Sequence, residues 1–146
     1  MPITFKPSAG MVLICDFDTG FRPPEMVKVR PVVVVSPQRH NGETCTIVPL
    51  STTSPGVITA VHHEMHGDSM PARLRKERVW AKCDMLTTVS LARLDRVRDG
   101  RDASGKRLYV AHSVTLDDLM AIRRGMLVAL GLGSLSPHLT GPAAAP

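Results

Sequence analysis

The chain has 146 residues, which is enough for one domain with a substantial core, and its 43% apolar content is ordinary for a globular protein. Aromatic residues make up only 3%, so the core must be built mainly from Val, Leu, Ile and Met, and a nucleic-acid surface that works by base stacking is disfavoured. Twelve prolines and eleven glycines favour a β-rich fold with many turns.

The positive charge is concentrated in one part of the chain. The net charge is +5, and the stretch 73–107 holds eleven basic and five acidic residues, while the remainder is nearly balanced. Such a cluster suits a polyanion, most simply nucleic acid bound through its phosphates. A solvated surface of mixed charge fits the same composition equally well.

The cysteines and the N-terminus indicate a soluble protein of the cytoplasm. Cys15, Cys45 and Cys83 are odd in number and widely spaced, which matches neither a disulfide framework nor a zinc ribbon. We interpret them as reduced core residues. The first residues lack the apolar stretch of a secretory signal, and no segment is long enough to span a membrane.

The predicted elements begin with a flexible arm over residues 1–9 and a first strand over 11–18. An Arg-Pro pair opens a β-branched run at 30–36, which is typical of a strand covered on both faces. The Asn41–Gly42 pair is a strong reversal signal and predicts a hairpin that leads into a strand over 44–50.

Two further strands, a short hairpin and one helix follow. The strands are predicted over 56–64 and 78–86, and the hairpin turns near 100–105. The helix is predicted over 115–132. Together these elements predict a mainly β fold, a small antiparallel β barrel with a C-terminal helix. One domain covers residues 10–133, and the tail 134–146 is predicted to be disordered because it is poor in large apolar residues.

The helix carries its own start and stop signals. Thr115 can cap it, and Asp118 completes a start that resembles a capping box. Gly131 or Gly133 ends it. The apolar face, broken only by Gly125, consists of Leu116, Leu119, Met120, Met126, Leu127 and Leu130.

Polar side chains are predicted to meet at one end of the hairpin. The start of an antiparallel strand lies beside the end of its neighbour, so Arg30 should lie close to the hydroxyls of Ser51, Thr52 and Thr53. A guanidinium matches phosphate oxygens, and hydroxyls can complete an anion pocket. The carboxylates that could orient the arginine are Glu25, Asp16 and Asp18. An exposed arginine beside a Ser/Thr turn is the simpler structural interpretation.

The segment HHEMH at 62–66 raises the question of a metal site. It lacks the H-E-x-x-H spacing, and the residues before it predict a strand, on which His62 and His66 stand too far apart for one ion. A solvated strand end is the preferred interpretation, a metal site is the alternative, and we expect no metal and no cofactor. One of these histidines, or His40, could still carry a proton near neutral pH.

Four segments resemble the MazF/PemK family of toxin endoribonucleases from bacterial type II toxin–antitoxin systems. In chain order they are GMVLICDFD, PEMVKVRPVVVVSP, IVPLSTTSP and VWAKCDMLTTVSLARLD. The Arg-Pro pair that opens the valine-rich strand and the VPL strand that ends in hydroxyls are the most specific features. The resemblance spans roughly residues 10–130 and implies an SH3-like barrel of the MazF/CcdB type with a C-terminal helix.

The resemblance also implies an activity. It implies a homodimer that cuts single-stranded RNA (mRNA) at short sequences without a metal, using the 2′-hydroxyl of the RNA as nucleophile and leaving a 2′,3′-cyclic phosphate. The implied catalytic residues are Arg30 and Thr52. The implied substrate-binding residues are Glu25, Lys28, Ser51 and Thr53. A cognate antitoxin with an acidic, initially disordered segment would silence the toxin.

Two other functions fit the same fold. Related toxins poison DNA gyrase by contact and work chiefly through the C-terminal helix, whereas the pairing of Arg30 with Thr52 favours the enzyme. The sequence is also compatible with a degenerate member that binds nucleic acid or an antitoxin and cuts nothing. The HHEMH segment takes no part in the resemblance, and the basic stretch 73–107 and the tail do not correspond closely to shorter members of the family.

Overall fold

A computed structural model of the chain describes residues 2–75 and 78–139. The strands are β1 Val12–Asp16, β2 Val29–Val34, β3 Thr44–Ser51, β4 His62–Glu64, β5 Trp80–Lys82, β6 Thr87–Ser90, β7 Leu94–Asp95, β8 Val97–Arg101 and β9 Arg107–Val110, and the helix α1 spans Leu116–Ala129. The main sheet is antiparallel and runs in the order β4-β5-β3-β2-β1-β7, with β6 also on β3, and β8 pairs with β9.

The mainly β fold with a C-terminal helix is confirmed. In the part of the chain that the structure describes, the strand pairings follow an open path and do not close into the predicted SH3-like barrel. None of the described helices combines the length and the apolar character that a membrane crossing requires.

Strand β2 lies at the centre of the core, as its valines predict. Val33 and Val35 belong to one buried cluster, and Val32 and Val34 belong to another on the opposite face. The first cluster includes residues of α1, and the second includes Phe17 and Ile3. Each fully buried valine contributes about 1.5–3 kcal/mol of transfer free energy, so both faces of the strand stabilise the fold.

The β2–β3 connection is held by side chains and has no left-handed turn. Residues 38–40 form a 3₁₀ turn, and Asn41, only 1% exposed, has φ −87°. The Nδ2 group of Asn41 donates to the carbonyls of Pro7 (2.8 Å) and Ser36 (3.2 Å). The hydroxyl of Ser36 donates to Oδ1 of Asn41 and accepts from the amide of Thr46 at 2.9 Å. The predicted reversal of the chain is confirmed, but it is held by the hydrogen bonds of the buried Asn41 side chain and not by a left-handed turn.

Two predicted strands are shorter than expected. Of the strand predicted over 56–64, only His62–Glu64 pairs; Val57 and Ile58 are 75% and 61% exposed and have no neighbouring strand. The strand predicted over 78–86 ends at Lys82, where a 3₁₀ turn at Cys83–Met85 carries the chain under α1 into β6. Their β-branched residues indicate extended backbone, but they carry no signal for a pairing partner.

The helix begins at the predicted cap, because the hydroxyl of Thr115 accepts from the amide of Asp118. Gly131, with φ +76°, follows its end, as predicted. The predicted apolar face is wrong for Leu116 and Leu130, which are 49% and 58% exposed. The buried face includes Gly125, since any Cβ there would lie 2.7 Å from Sγ of Cys83. This close approach brings the Gly125 side of α1 against the 3₁₀ turn at Cys83–Met85.

The cysteines and the chain ends complete the fold. All three cysteines are free and buried, as predicted, and burial raises the pKa of Cys15 and Cys83 to about 12. In the predicted arm, Ile3 is buried and its amide donates to the carbonyl of Leu94 at 2.9 Å. In the predicted tail, Gly133–His138 is a 3₁₀ helix, and 140–146 lie outside the described residues. The division into arm, domain and tail stays a prediction.

The hairpin chemistry is tested by two adjacent substitutions. Asn41→Ala is expected to lower the free energy of unfolding by about 2 kcal/mol, because it leaves buried backbone and hydroxyl groups without partners. Gly42→Ala should change it by less than about 0.5 kcal/mol, because a Cβ there meets nothing within 4 Å. Urea denaturation of both variants measures the difference. The opposite order would indicate a turn that depends on the glycine.

Candidate active site

The start of β2 and the end of β3 form the walls of one cleft. The pairs Val32–Pro49 and Val33–Val48 set the register of the two strands, and its continuation places Arg30 opposite Ser51. The cleft has a volume of about 170 Å³ and is lined by Val29, Arg30, Pro31, Leu50, Ser51, Thr52, Met70, Leu74 and Val79. The structure therefore brings Arg30, Ser51 and Thr52 together, as the hairpin predicts.

Arg30 is held by the backbone just before β2. Its Nε group donates to the carbonyl of Val27 at 3.2 Å, and this is the only hydrogen bond of the side chain within the described residues. The side chain is half-buried, and within the described residues its terminal guanidinium nitrogens have no hydrogen bond and no ion pair. Lys28, which lies between Val27 and Arg30 in the sequence, has φ +73°. This left-handed backbone conformation costs a non-glycine residue about 1 kcal/mol. Such local strain is frequent at functional sites.

The three hydroxyls at the end of β3 have different environments. Ser51 is buried, and its Oγ accepts from the amide of Thr53 at 3.1 Å, so this hydroxyl shapes the turn. Thr52 and Thr53 are exposed, and Thr52 lines the cleft. The indole of Trp80, buried in β5 and paired with Ser51, donates to Oγ of Ser54 at 3.2 Å and anchors the loop. Of the three, Thr52 is therefore the exposed residue that lines the cleft.

The carboxylates predicted to orient Arg30 do not contact it. Glu25 lines a different cleft, together with Asp84 and apolar residues. The Oδ1 atom of Asp16 accepts from the amide of Asp18 at 2.8 Å. No ion pair within 4.0 Å joins any of these carboxylates to Arg30 in residues 2–75 and 78–139. The carbonyl of Val27 takes the orienting role, and a backbone group carries no signal in the sequence.

Residues 8–124 match the model of the PemK-like, MazF-like toxins of type II toxin–antitoxin systems. The chain belongs to this toxin family. The toxin is 33% identical to the Escherichia coli (strain K12) protein YifN over 120 residues, which cover 69% of this chain and 80% of that protein.

Solved structures show the same fold. MazF from Deinococcus radiodurans superposes with a TM-score of 0.60 at 21% identity, covering 87% of the toxin and 98% of that chain. A mycobacterial endoribonuclease in complex with its cognate antitoxin gives 0.55 at 23% identity, covering 86% and 96%. The family match includes every residue of the cleft.

The HHEMH segment packs against the start of the helix. Nε2 of His63 lies 2.7 Å from Oδ1 of Asp118, a carboxylate that is 4% exposed. Oδ2 of Asp118 accepts from the amide of His66 at 2.8 Å and from the hydroxyl of Ser69. The same Ser69 hydroxyl accepts from the amide of Thr115. This network joins β4 to α1 through residues more than forty positions apart.

The hydrogen bonds of these histidines test the predictions for the HHEMH segment. The prediction of a solvated strand end is wrong for His63, and the ring of His62 accepts from the amide of Thr59 at 3.1 Å. Among the described residues, no three Cys, His, Asp or Glu side chains converge in a way that could hold a metal ion. Asp118 does not complete the capping box, because its side chain turns towards His63. The pairing of His63 with Asp118 could not be predicted, because the two residues lie far apart in the sequence.

Hydrogen bonding sets the charge state of Asp118. Burial alone would raise its pKa, but the hydrogen bonds from Ser69, from His63 and from the amide of His66 together lower the pKa below the ordinary value. A pKa lower in the folded than in the unfolded state stabilises the fold above the unfolded value of about 3.9. This contribution is lost as the pH falls through the folded pKa.

We expect Asp118→Asn to lower the free energy of unfolding by about 2 kcal/mol at pH 7, because charged hydrogen bonds are replaced by weaker ones. The difference from wild type should shrink as the pH falls below about 4. The control is Asp117→Asn, the exposed neighbour in the same helical turn. Urea denaturation between pH 3 and pH 7 measures both variants, and a difference that does not depend on pH would contradict the assignment.

Proposed function

We propose that this toxin is a metal-independent endoribonuclease that cuts single-stranded mRNA at short sequences. The observation that carries the proposal is the cleft that is lined both by Arg30 of β2 and by Thr52, the residue after β3, with the terminal guanidinium nitrogens of Arg30 unpaired within the described residues. The mycobacterial relative with the same fold is described as an endoribonuclease, which supports the same activity here.

The proposed reaction is an in-line displacement within the RNA. The 2′-oxygen attacks the adjacent phosphorus and the bond to the 5′-oxygen breaks, which leaves a 2′,3′-cyclic phosphate and a 5′-hydroxyl. The proton of the 2′-hydroxyl is lost, and the 5′-oxygen gains one. Negative charge builds on the phosphorane oxygens, and the guanidinium of Arg30 stabilises it as a divalent metal would in other nucleases.

We propose different tasks for the two catalytic residues. A guanidinium keeps its proton in proteins, so Arg30 acts through charge and hydrogen bonds. The exposed hydroxyl of Thr52 binds a non-bridging oxygen or the 2′-hydroxyl and fixes the line of attack. The substrate contacts proposed around them are Glu25, Lys28, Ser51 and Thr53. Of these, Ser51 acts through the turn, and Glu25 lines a different cleft, so it contacts only RNA that extends there.

The proposal extends to the partners. We propose a homodimer in the cytoplasm, neutralised by a cognate antitoxin. The antitoxin bound to the mycobacterial relative supports this partner. The net charge of +5 favours association both with RNA and with an acidic antitoxin segment.

The test is cleavage of a long single-stranded RNA in excess EDTA. Wild type should cut at a few short sequences and leave cyclic phosphate ends. Arg30→Ala should lose about a hundredfold or more in rate, the usual effect of removing one preorganised donor. Thr52→Ala should also be slower, while Arg107→Ala, which removes an exposed arginine of β9, should cut at the wild-type rate.

Thermal melting of the variants verifies that they are folded. Intact RNA in every lane, from folded toxin free of antitoxin, would contradict the ribonuclease and would favour a binding protein of the same fold. If Arg30→Ala cuts RNA at the wild-type rate, the active site does not lie in this cleft.

A further inference from the structure

A second groove adjoins the Arg30 cleft and is lined by arginines. It has a volume of about 570 Å³ and shares Val29 and Leu74 with the cleft. The shared residues place the two depressions side by side. The arginines that line the groove are Arg73, Arg93, Arg96 and Arg98. All four come from the basic stretch 73–107, so folding gathers a charge cluster of the sequence beside the proposed site of reaction.

Two of the arginines are fixed by contacts with neutral groups. Arg93 donates to the carbonyls of Asp16 (3.0 Å) and Thr19 (2.7 Å), and its Cζ lies 4.9 Å from the ring centroid of Phe21. Cζ of Arg96 lies 3.9 Å from the ring centroid of Tyr109, on the neighbouring hairpin. Neither contact neutralises the guanidinium, so the positive charge remains while the side chain is ordered.

The groove keeps a positive excess. Arg73 shares its charge with Asp99 at 3.6 Å, both of them exposed. Asp16 and Asp95 also line the groove, so four arginines face two carboxylates on its walls. In the part of the chain that the structure describes, the side chain of Arg98, which lies in β8, has no hydrogen bond and no ion pair. The walls thus offer at least one uncommitted guanidinium next to two that are held in place.

The floor of the groove is apolar. Ile14, Leu94 and Val97 line it between the arginines. An apolar floor with cationic walls suits a single nucleic-acid strand, because ribose and base faces can rest on the floor while phosphates meet the guanidinium groups. Few aromatic residues are available for stacking in the chain, so the recognition would be largely independent of sequence.

We propose that this arginine groove binds the sugar–phosphate backbone of the RNA that flanks the cut, so that the substrate runs from the Arg30 cleft over Val29 and Leu74 between the arginines. The inference rests on the proposed function and adds a substrate-holding site to it. The adjoining cleft is proposed to hold the scissile phosphate, so the polyanion that continues from it into the groove is the same RNA strand, and this favours RNA over an acidic polypeptide.

The test compares two charge-matched double variants of the full chain. Arg96→Gln with Arg98→Gln removes two groove arginines, and Arg107→Gln with Arg124→Gln removes two exposed arginines outside the groove. The probe is a labelled 2′-O-methyl RNA of mixed sequence and about twenty nucleotides, which spans more than one single-strand binding site and lacks the nucleophile. Fluorescence anisotropy over a range of salt concentrations gives affinity and salt slope.

The groove variant should bind the probe at least about tenfold more weakly, and its salt slope should fall by about 0.7 for each lost phosphate contact. The control variant should stay within about twofold of wild type. Equal losses in both variants, no loss in either, or a loss of binding to polyglutamate without a loss for RNA would each overturn the proposal. Probe binding without cleavage of natural RNA by wild type would contradict the proposed function alone.

Discussion

The site depends on the register between β2 and β3. Both faces of β2 are buried, so no alternation of polar and apolar residues distinguishes one register from the next. The turn provides the missing constraint, because Ser36 and Asn41 bond to each other and Ser36 also accepts from the amide of Thr46 at the start of β3. A slip by one residue would break these bonds and would change which residue of β3 stands opposite Arg30.

The polar site inherits its precision from this register and from the backbone around it. The left-handed Lys28 and the carbonyl of Val27 set the direction of Arg30, while Trp80 and Ser51 hold the loop that carries Thr52. Positive charge is added from another part of the chain, where carbonyl and ring contacts order Arg93 and Arg96 without neutralising them. Rigid placement on a buried frame is what electrostatic stabilisation of a phosphorane requires.

Much of the fold could be predicted from the sequence, because valine runs, the cap at Thr115 and the glycine after the helix act locally. The meeting of Arg30 with Thr52 could also be predicted, since a hairpin follows from neighbouring segments. The rest depended on contacts distant in sequence. Val57 and Ile58 have the composition of a strand but no partner strand. The sequence around Gly125 did not indicate its close approach to Cys83, and the sequence around His63 did not indicate its hydrogen bond to Asp118. For the groove arginines, the sequence showed only the excess of basic residues in the stretch 73–107 and not their arrangement in one groove.

The central claim is that the scissile phosphate lies between the two strand ends. A crystal structure of the wild-type toxin with an RNA that carries a 2′-O-methyl group at the cut tests it most directly, because that substrate cannot react. The account predicts a phosphate within hydrogen-bond distance of the Arg30 guanidinium and of the Thr52 hydroxyl, with the flanking strand passing Val29. An RNA bound elsewhere, with the Arg30 cleft empty, would contradict it.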